Sequence, residues 1–226
     1  DNWLSTPMVV DDDLFVKVIT RQNTLVHALF TTGRNLGAFS AGTEGFFERY
    51  ETPYEMARHE LEATRKVREL GVNAPEPLEA FEVEDVGVVV FDYLDGFRTL
   101  EQCPPTEIRA LLPELFDALA TMHENGLTHG DLRGENVLVQ DGDLFFIDAT
   151  AVRTGGITQA RAYDIASALG TLEPLIGARD AVTAAVDQYD VEAVLEAVDF
   201  LDFVNIRPDH DFDAAALKGK ISTIAS

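Results

Sequence analysis

Cysteines, basic side chains and long apolar runs are all scarce in this chain of 226 residues. The one cysteine, Cys103, excludes an internal disulfide, and no Cys/His spacing is typical of a structural zinc site. The longest apolar runs have the length of a strand, far short of the roughly 20 residues that a membrane helix needs. We therefore expect a cytoplasmic protein with no membrane span and no signal peptide.

The scarcity of basic residues gives an extreme net charge of −23, from 40 acidic against 17 basic side chains. The acids are scattered along the chain, which argues against an acidic tail. Two interpretations stay open: binding to a cationic partner, and a general surface adaptation to a salt-rich, halophilic cytoplasm. The absence of a localised acidic focus favours the second. Because phosphate contacts need basic clusters, we expect no direct binding of nucleic acid.

The apolar content of 46% is enough for one domain of two lobes. Residues 8–10 and 14–19 flank an acidic turn and predict a hairpin, with Lys17 inside its second strand. Glycines then interrupt residues 20–50, which predicts an irregular insertion.

A capping box predicts a helix that begins at Pro53, with Thr52 as the N-cap and Glu55 at the third helical position. The helix should end near Leu70, because Gly71 can take the left-handed conformation that follows a helix.

Glu60 lies on the apolar face of this predicted helix. A charge there needs a partner, and Lys17 on the neighbouring strand is the natural one.

The rest of the chain is predicted to be strands followed mainly by helices. We expect two strands at 81–83 and 87–93, a helix at 107–125, a hairpin of strands 136–139 and 144–147, and helices at 163–175 and 189–204.

The chemistry is concentrated in the loop His129-Gly130-Asp131-Leu132-Arg133-Gly134-Glu135-Asn136 and in Asp148, which directly follows an apolar strand. Transfer of a γ-phosphoryl group rests on positioning and on neutralising charge around the phosphates. Carboxylate and amide oxygens are the ligands that Mg²⁺ prefers. Asp131 is therefore the candidate catalytic base, and Asn136 and Asp148 are the candidate metal ligands. For Arg133, neutralisation of a γ-phosphate oxygen and a plain surface role both stay open.

These residues resemble the protein-kinase-like superfamily over roughly residues 14–169. The resemblance implies an α+β fold with a small β-rich N-lobe at 1–95 and a mainly helical C-lobe at 96–226. It implies ATP and Mg²⁺ as cofactors, with Lys17 and Glu60 anchoring ATP.

The same resemblance makes Phe91 the gatekeeper and places the backbones of Asp92 and Leu94 against adenine. It also implies that Asp164 braces the catalytic loop from below.

Four departures set the chain apart from typical protein kinases. Gly130 stands where many eukaryotic protein kinases carry arginine, and no Phe-Gly pair follows Asp148. In both features the chain resembles the RIO kinases, the small kinase of the archaeal tRNA-modification complex, the lipopolysaccharide-core sugar kinases and the aminoglycoside phosphotransferases. Phe15 stands where a small residue usually lines the adenine pocket. No glycine-rich loop precedes Lys17, so we expect that loop and the first strand to lie before Asp1.

The favoured function is an atypical serine/threonine protein kinase of RIO-like type that phosphorylates a hydroxyl. A small-molecule or sugar kinase stays open, because such enzymes share the His-Gly-Asp-Leu loop. A nucleotide-binding pseudokinase or scaffold is the alternative from another class.

Overall fold

Four antiparallel strands precede a mainly helical remainder in the computed structural model, which describes residues 5–28, 50–151, 157–205 and 211–225. In chain order the elements are β1 Thr6–Val10, β2 Leu14–Ile19, α1 at 21–28, α2 Pro53–Glu69, β3 Pro77–Val83, β4 Val86–Asp92, β5 Arg98–Thr99, α3 Pro105–Glu124, β6 Leu127–Thr128, β7 Val137–Gln140, β8 Asp143–Phe146, β9 Thr150–Ala151, α4 Ile157–Ile176, α5 Ala178–Gln188, α6 Val191–Asn205 and α7 Ala214–Ile224. The predicted α+β class is confirmed.

The first four strands form one antiparallel sheet in the order β1-β2-β4-β3. The predicted hairpin is confirmed, with Asp11 and Asp12 at positive φ in its turn. Within the sheet, Phe15 lies opposite Phe91 and Lys17 lies opposite Val89. Since alternate residues of a strand share a face, these four side chains point to the same side of the sheet.

Helix α2 covers that face and begins as predicted. The Thr52 side chain accepts a hydrogen bond from the Glu55 N–H at 3.1 Å. The Glu55 carboxylate accepts from the Glu51 N–H at 3.0 Å, one residue before the amide that a standard capping box uses. The helix ends before Gly71, which has a φ of 82°.

Two hydrophobic clusters lie on either side of a cleft. The cleft is lined by Phe15, Lys17, Glu60, Phe91, Ile147 and Asp148 among others. The smaller cluster joins the sheet to the first part of α2, through residues such as Ala57, Leu61 and Val89. The larger one surrounds α4, which is buried on nearly all sides from Ala160 to Gly170. Because the last turns of α2 reach the larger cluster through Val67, this helix joins both cores.

The irregular insertion predicted for residues 20–50 is wrong at its start, where residues 21–28 are helical. The missed signal is local: the Thr20 N–H donates to Asn23 Oδ1 at 2.8 Å, and the Asn23 N–H donates to Thr20 Oγ1 at 3.4 Å. This reciprocal pair closes the helix N-terminus as a capping box does. Residues 29–49 lie outside the described residues.

Several predicted boundaries also need correction. Strand β3 begins at Pro77, before the predicted 81, and α3 begins at Pro105, where proline suits the first helical position. Helix α4 begins at Ile157, before the predicted 163. Tyr189 is not helical: it lies in the link between α5 and α6. Across the described ranges, no helix is long and apolar enough to cross a membrane.

Candidate active site

Lys17, on the inner strand β2, forms the centre of a buried ion cluster on the face of the sheet that α2 covers. Its Nζ lies 2.7 Å from a carboxylate oxygen of Glu60 on α2, so the predicted pair is confirmed. The same Nζ also contacts the carboxylate of Asp148, which lies 131 residues further along the chain. The Lys17 side chain is only 6% exposed. Three charged groups from three distant segments therefore meet in one buried place.

The charges in this cluster perturb one another strongly. Burial lowers the pKa of Lys17, but the Asp148 and Glu60 carboxylates outweigh it and hold that pKa above its ordinary value. Burial raises the pKa of Asp148, yet the Lys17 ammonium outweighs this effect and keeps it below its usual range. For Glu60 burial wins, and raises the pKa to about 7. Lys17 and Asp148 therefore stay charged, and Glu60 is the member that protonates first.

Asp148 is directed into the cleft by its backbone. It follows β8 and has a φ of 62°, in the left-handed region that non-glycine residues rarely adopt. The N–H of Ile147 donates to the Asn136 carbonyl at 3.1 Å. This bond joins the two candidate metal ligands through their backbones.

Asn136 is held by the loop that contains the candidate base. Its Nδ2 donates to the carbonyl oxygen of Asp131 at 2.9 Å, and the residue is buried. Because the amide nitrogen is used in this way, the Oδ1 atom is left to act as an acceptor or ligand.

The donor set suits Mg²⁺. It consists of hard oxygens, one from the Asn136 amide and one or two from the Asp148 carboxylate. Within the described parts of the chain, no group of three His, Cys, Asp or Glu side chains could hold a metal alone. Mg²⁺ usually keeps several waters and is bound through one or two carboxylates plus substrate phosphates, so a two-residue set is typical.

Arg133 contacts the candidate base directly. Its Nη2 lies 3.1 Å from Asp131 Oδ2. Its Nη1 lies 2.5 Å from Glu135 Oε1. Both interpretations of Arg133, a contact with a γ-phosphate oxygen and a plain surface role, stay open.

Asp164 supports the loop from below, as predicted. Fully buried on α4, it accepts hydrogen bonds from the backbone N–H of His129 at 2.6 Å and of Gly130 at 2.7 Å. Gly130 has a φ of 75°, which glycine adopts without cost. The pKa of His129 is lowered, chiefly by burial.

Sequence reasoning missed Tyr189, which extends this support. The His123 Nε2 lies 3.1 Å from Asp164 Oδ2, and the Tyr189 hydroxyl lies 2.8 Å from His123 Nδ1. Burial raises the pKa of Tyr189, so the phenol keeps its proton. The sequence contains no local signal for this contact, because Tyr189 and His123 are 66 residues apart.

The expected adenine side of the cleft begins at Phe91, which is buried at the end of β4. The Asp92 N–H already donates to the Glu76 carbonyl at 2.9 Å, so only the Asp92 carbonyl remains for a base. Leu94 follows and is half-buried. The contacts of Phe91, Asp92 and Leu94 with adenine stay predictions.

Comparison with protein families gives a direct result. The model of the RIO domain matches residues 38–155, slightly more than half of the chain. The chain belongs to the RIO-domain family. The matched range contains Glu60, the candidate catalytic loop and Asp148, whereas Lys17 lies before it.

The curated relatives are similar to the chain over part of their length. The chain is 30% identical to the KEOPS complex subunit Bud32 of Pyrococcus abyssi, over 49% of this chain and 51% of the relative. It is 32% identical to a probable bifunctional tRNA threonylcarbamoyladenosine biosynthesis protein of Thermoplasma acidophilum, over 50% of this chain and 20% of the relative. The chain thus matches about half or less of each.

A solved structure supports the fold. An aminoglycoside-3'-phosphotransferase of type VIII superposes with a TM-score of 0.51 at 16% identity, covering 89% of this chain and 94% of that one. The protein-kinase-like fold is confirmed, and the RIO-domain family makes the chain a kinase-like protein.

Proposed function

We propose that this chain is an atypical kinase that transfers the γ-phosphoryl group of Mg-ATP to a hydroxyl. The observation that carries the proposal is the meeting of Lys17, Glu60 and Asp148 in one buried cluster. A cluster that only stabilised the fold would not need Asp131 and Asn136 in a loop that the Ile147 N–H, directly before Asp148, joins to it through the Asn136 carbonyl.

Each residue has a role that follows from its charge. Lys17, oriented by Glu60, contacts the phosphates, and Asn136 and Asp148 hold Mg²⁺. When bound there, Mg²⁺ would supply positive charge that neutralises the phosphates. Asp131 accepts the proton of the acceptor hydroxyl.

The Arg133 guanidinium presents several hydrogen-bond donors beside Asp131. In the proposed mechanism this group leaves Asp131 and binds a γ-phosphate oxygen. It supplies charge at the point where the transferred group is most negative.

A serine or threonine of a protein is the proposed acceptor. In the described part of the chain, helices α5, α6 and α7 all contact α4. The segment before α7 does so too: Phe212 lies so close to Gly170 that a Cβ there would be 2.7 Å from its ring. These helices therefore do not form an open insert that would enclose a small molecule. The fold shared with an aminoglycoside phosphotransferase says nothing of the acceptor by itself.

Protein partners are proposed from the similarity to the Pyrococcus abyssi relative. The Pyrococcus relative is a subunit of the KEOPS complex, and we extend to this chain the proposal that it works in a protein assembly.

We also propose that the two lobes divide at Asp95 and Gly96. There the Asp95 carbonyl accepts from Gln140 Nε2 at 2.7 Å, and Gly96 has a φ of 69°.

The test is turnover of γ-labelled ATP by the wild type and by Asp131→Asn. The variant should lose turnover and keep binding of Mg-ATP, because Asp131 contacts the acceptor. Asp143→Asn, an exposed change on β8, is the matched control. Protein, aminoglycoside and sugar acceptors form separate arms. Binding of Mg-ATP without turnover on any acceptor would support the pseudokinase alternative, and no nucleotide binding at all would refute the proposal.

A further inference from the structure

Phe15 has no role in the proposed mechanism, yet it lies in the middle of the cleft. It precedes Lys17 by two positions on β2, so both side chains point to the same face of the sheet. The Lys17 Nζ lies 5.9 Å from the centre of the Phe15 ring. On its other side Phe15 pairs across the strands with Phe91, directly before the backbone expected to meet the base.

This position lies on the route that a bound nucleotide must follow. Its phosphates have to reach Lys17, and its base has to reach the backbone of Asp92 to Leu94. On β2 and β4, the paired residues Phe15 and Phe91 lie between these two points. A base cannot reach that backbone without meeting the Phe15 ring.

The cleft is also too small with the ring in place. Its enclosed free volume is about 20 Å³, room for about one water, and it is lined by Phe15, Lys17, Phe91 and Asp148 among others. Clefts that bind drug-sized ligands measure roughly 300–1,000 Å³. A nucleotide, which is a base, a sugar and a phosphate chain, needs more room than this cleft offers.

We propose that the Phe15 ring fills the subsite of the nucleotide base and has to swing out before a nucleotide binds, so that Phe15 sets nucleotide affinity. The inference rests on the proposed function, because it takes Lys17 as the phosphate anchor.

The expected change in nucleotide affinity follows from two states of the Phe15 ring: an inward state that blocks the base and an outward state that admits it. When only a fraction of the protein is competent, the apparent Kd equals the intrinsic Kd divided by that fraction. Returning a half-buried aromatic ring to water favours the inward state by about tenfold. Removing the ring should therefore tighten nucleotide binding by about that factor, while the free protein becomes less stable because packing is lost. A residue with only a packing role would lower stability without tightening binding.

The experiment measures binding of Mg-ADP by calorimetry to the full chain, at one fixed salt concentration, for the wild type, Phe15→Ala and Phe15→Val. The valine variant keeps a β-branched strand former and preserves the test if the alanine variant does not fold. Phe81→Ala is the matched control. It removes the same side chain from the edge strand β3, where Phe81 pairs with Val88 of β4 on the opposite face of the sheet.

Both Phe15 variants are expected to bind Mg-ADP about tenfold more tightly than the wild type. Phe81→Ala should bind like the wild type, and an N6-benzyl analogue of ADP should bind to Phe15→Ala alone. Equal or weaker binding by the Phe15 variants, beside a wild type that binds, overturns this inference and leaves the proposed function standing. Absence of binding in all four proteins overturns both. Tighter binding in Phe81→Ala as well overturns the inference, because the effect then does not belong to the cleft.

Discussion

Replacement of Lys17 by methionine should destabilise the protein far more than loss of an ordinary ion pair. Methionine has a similar length and no charge, so the change removes the ammonium and leaves Glu60 and Asp148 facing each other in a buried place. Removing one partner of a buried ion pair costs about 3–5 kcal/mol, because the remaining charge is uncompensated. We expect the lower end of this range, since Glu60 can take up a proton when the ammonium is gone.

The chain offers a matched control in Lys218→Met. The Lys218 Nζ lies 2.6 Å from Asp202 Oδ1, nearly the same distance as the 2.7 Å between Lys17 Nζ and Glu60, but the Asp202 side chain is 74% exposed. Exposed ion pairs contribute about 0–1 kcal/mol. The comparison therefore separates burial from distance, with the same substitution at both positions.

The assay is urea unfolding followed by circular dichroism at pH 7, at low salt and at about 1 M salt, where the Debye length falls to about 3 Å. The loss in Lys218→Met should vanish at high salt, whereas most of the loss in Lys17→Met should persist. The reasoning is wrong if Lys17→Met loses no more free energy of unfolding than Lys218→Met.

Three further predictions concern the loop support, the buried histidine and the packing of α2. Tyr189→Phe should cost about 1 kcal/mol of stability and lower kcat without changing KM for ATP, because His123 loses a hydrogen-bond donor. Burial lowers the pKa of His129 below 6.5, so its contribution to stability is complete above that pH and is lost as the pH falls; His129→Gln should flatten this acid limb. Gly87→Ala should unfold the protein by heat at a lower temperature, since a Cβ would lie 2.2 Å from a backbone oxygen of α2, whereas Gly219→Ala should gain about 0.5–1 kcal/mol.

Each of these predictions has its own contrary result. Tyr54→Phe is the control for Tyr189, and equal effects on kcat would show that no contact with His123 matters. An acid limb that is as steep in His129→Gln as in the wild type contradicts the role of burial. Equal melting temperatures for Gly87→Ala and Gly219→Ala would show that α2 can move away from the sheet at no cost.

Local chemistry explains which elements could be predicted. The N-cap Thr52, the proline at Pro53 and the glycine after α2 act within a few residues, and the structure confirms the helix they predict. The helix at 21–28 was missed although its Thr20 and Asn23 signal is local, because the glycines further along the insertion dominated the interpretation.

Some contacts of the candidate site could likewise be predicted from the sequence, and others could not. The pairing of Lys17 with Glu60 was predictable, because a charge on an apolar helix face needs an opposite charge nearby. The contact of Lys17 with Asp148 was not, since it depends on how the sheet meets the loop after β8. Tyr189 could not be found either, because its partner His123 lies on α3, 66 residues before it in the chain.

The sequence alone determined the helix caps, the hairpins and the set of oxygen and ammonium groups, because each depends on neighbours in the chain. Only the tertiary structure decided that Lys17 holds both carboxylates, that Arg133 lies against Asp131 and that Phe15 faces Phe91 inside the cleft. These contacts depend on the packing of distant segments, and packing is a property of the whole fold.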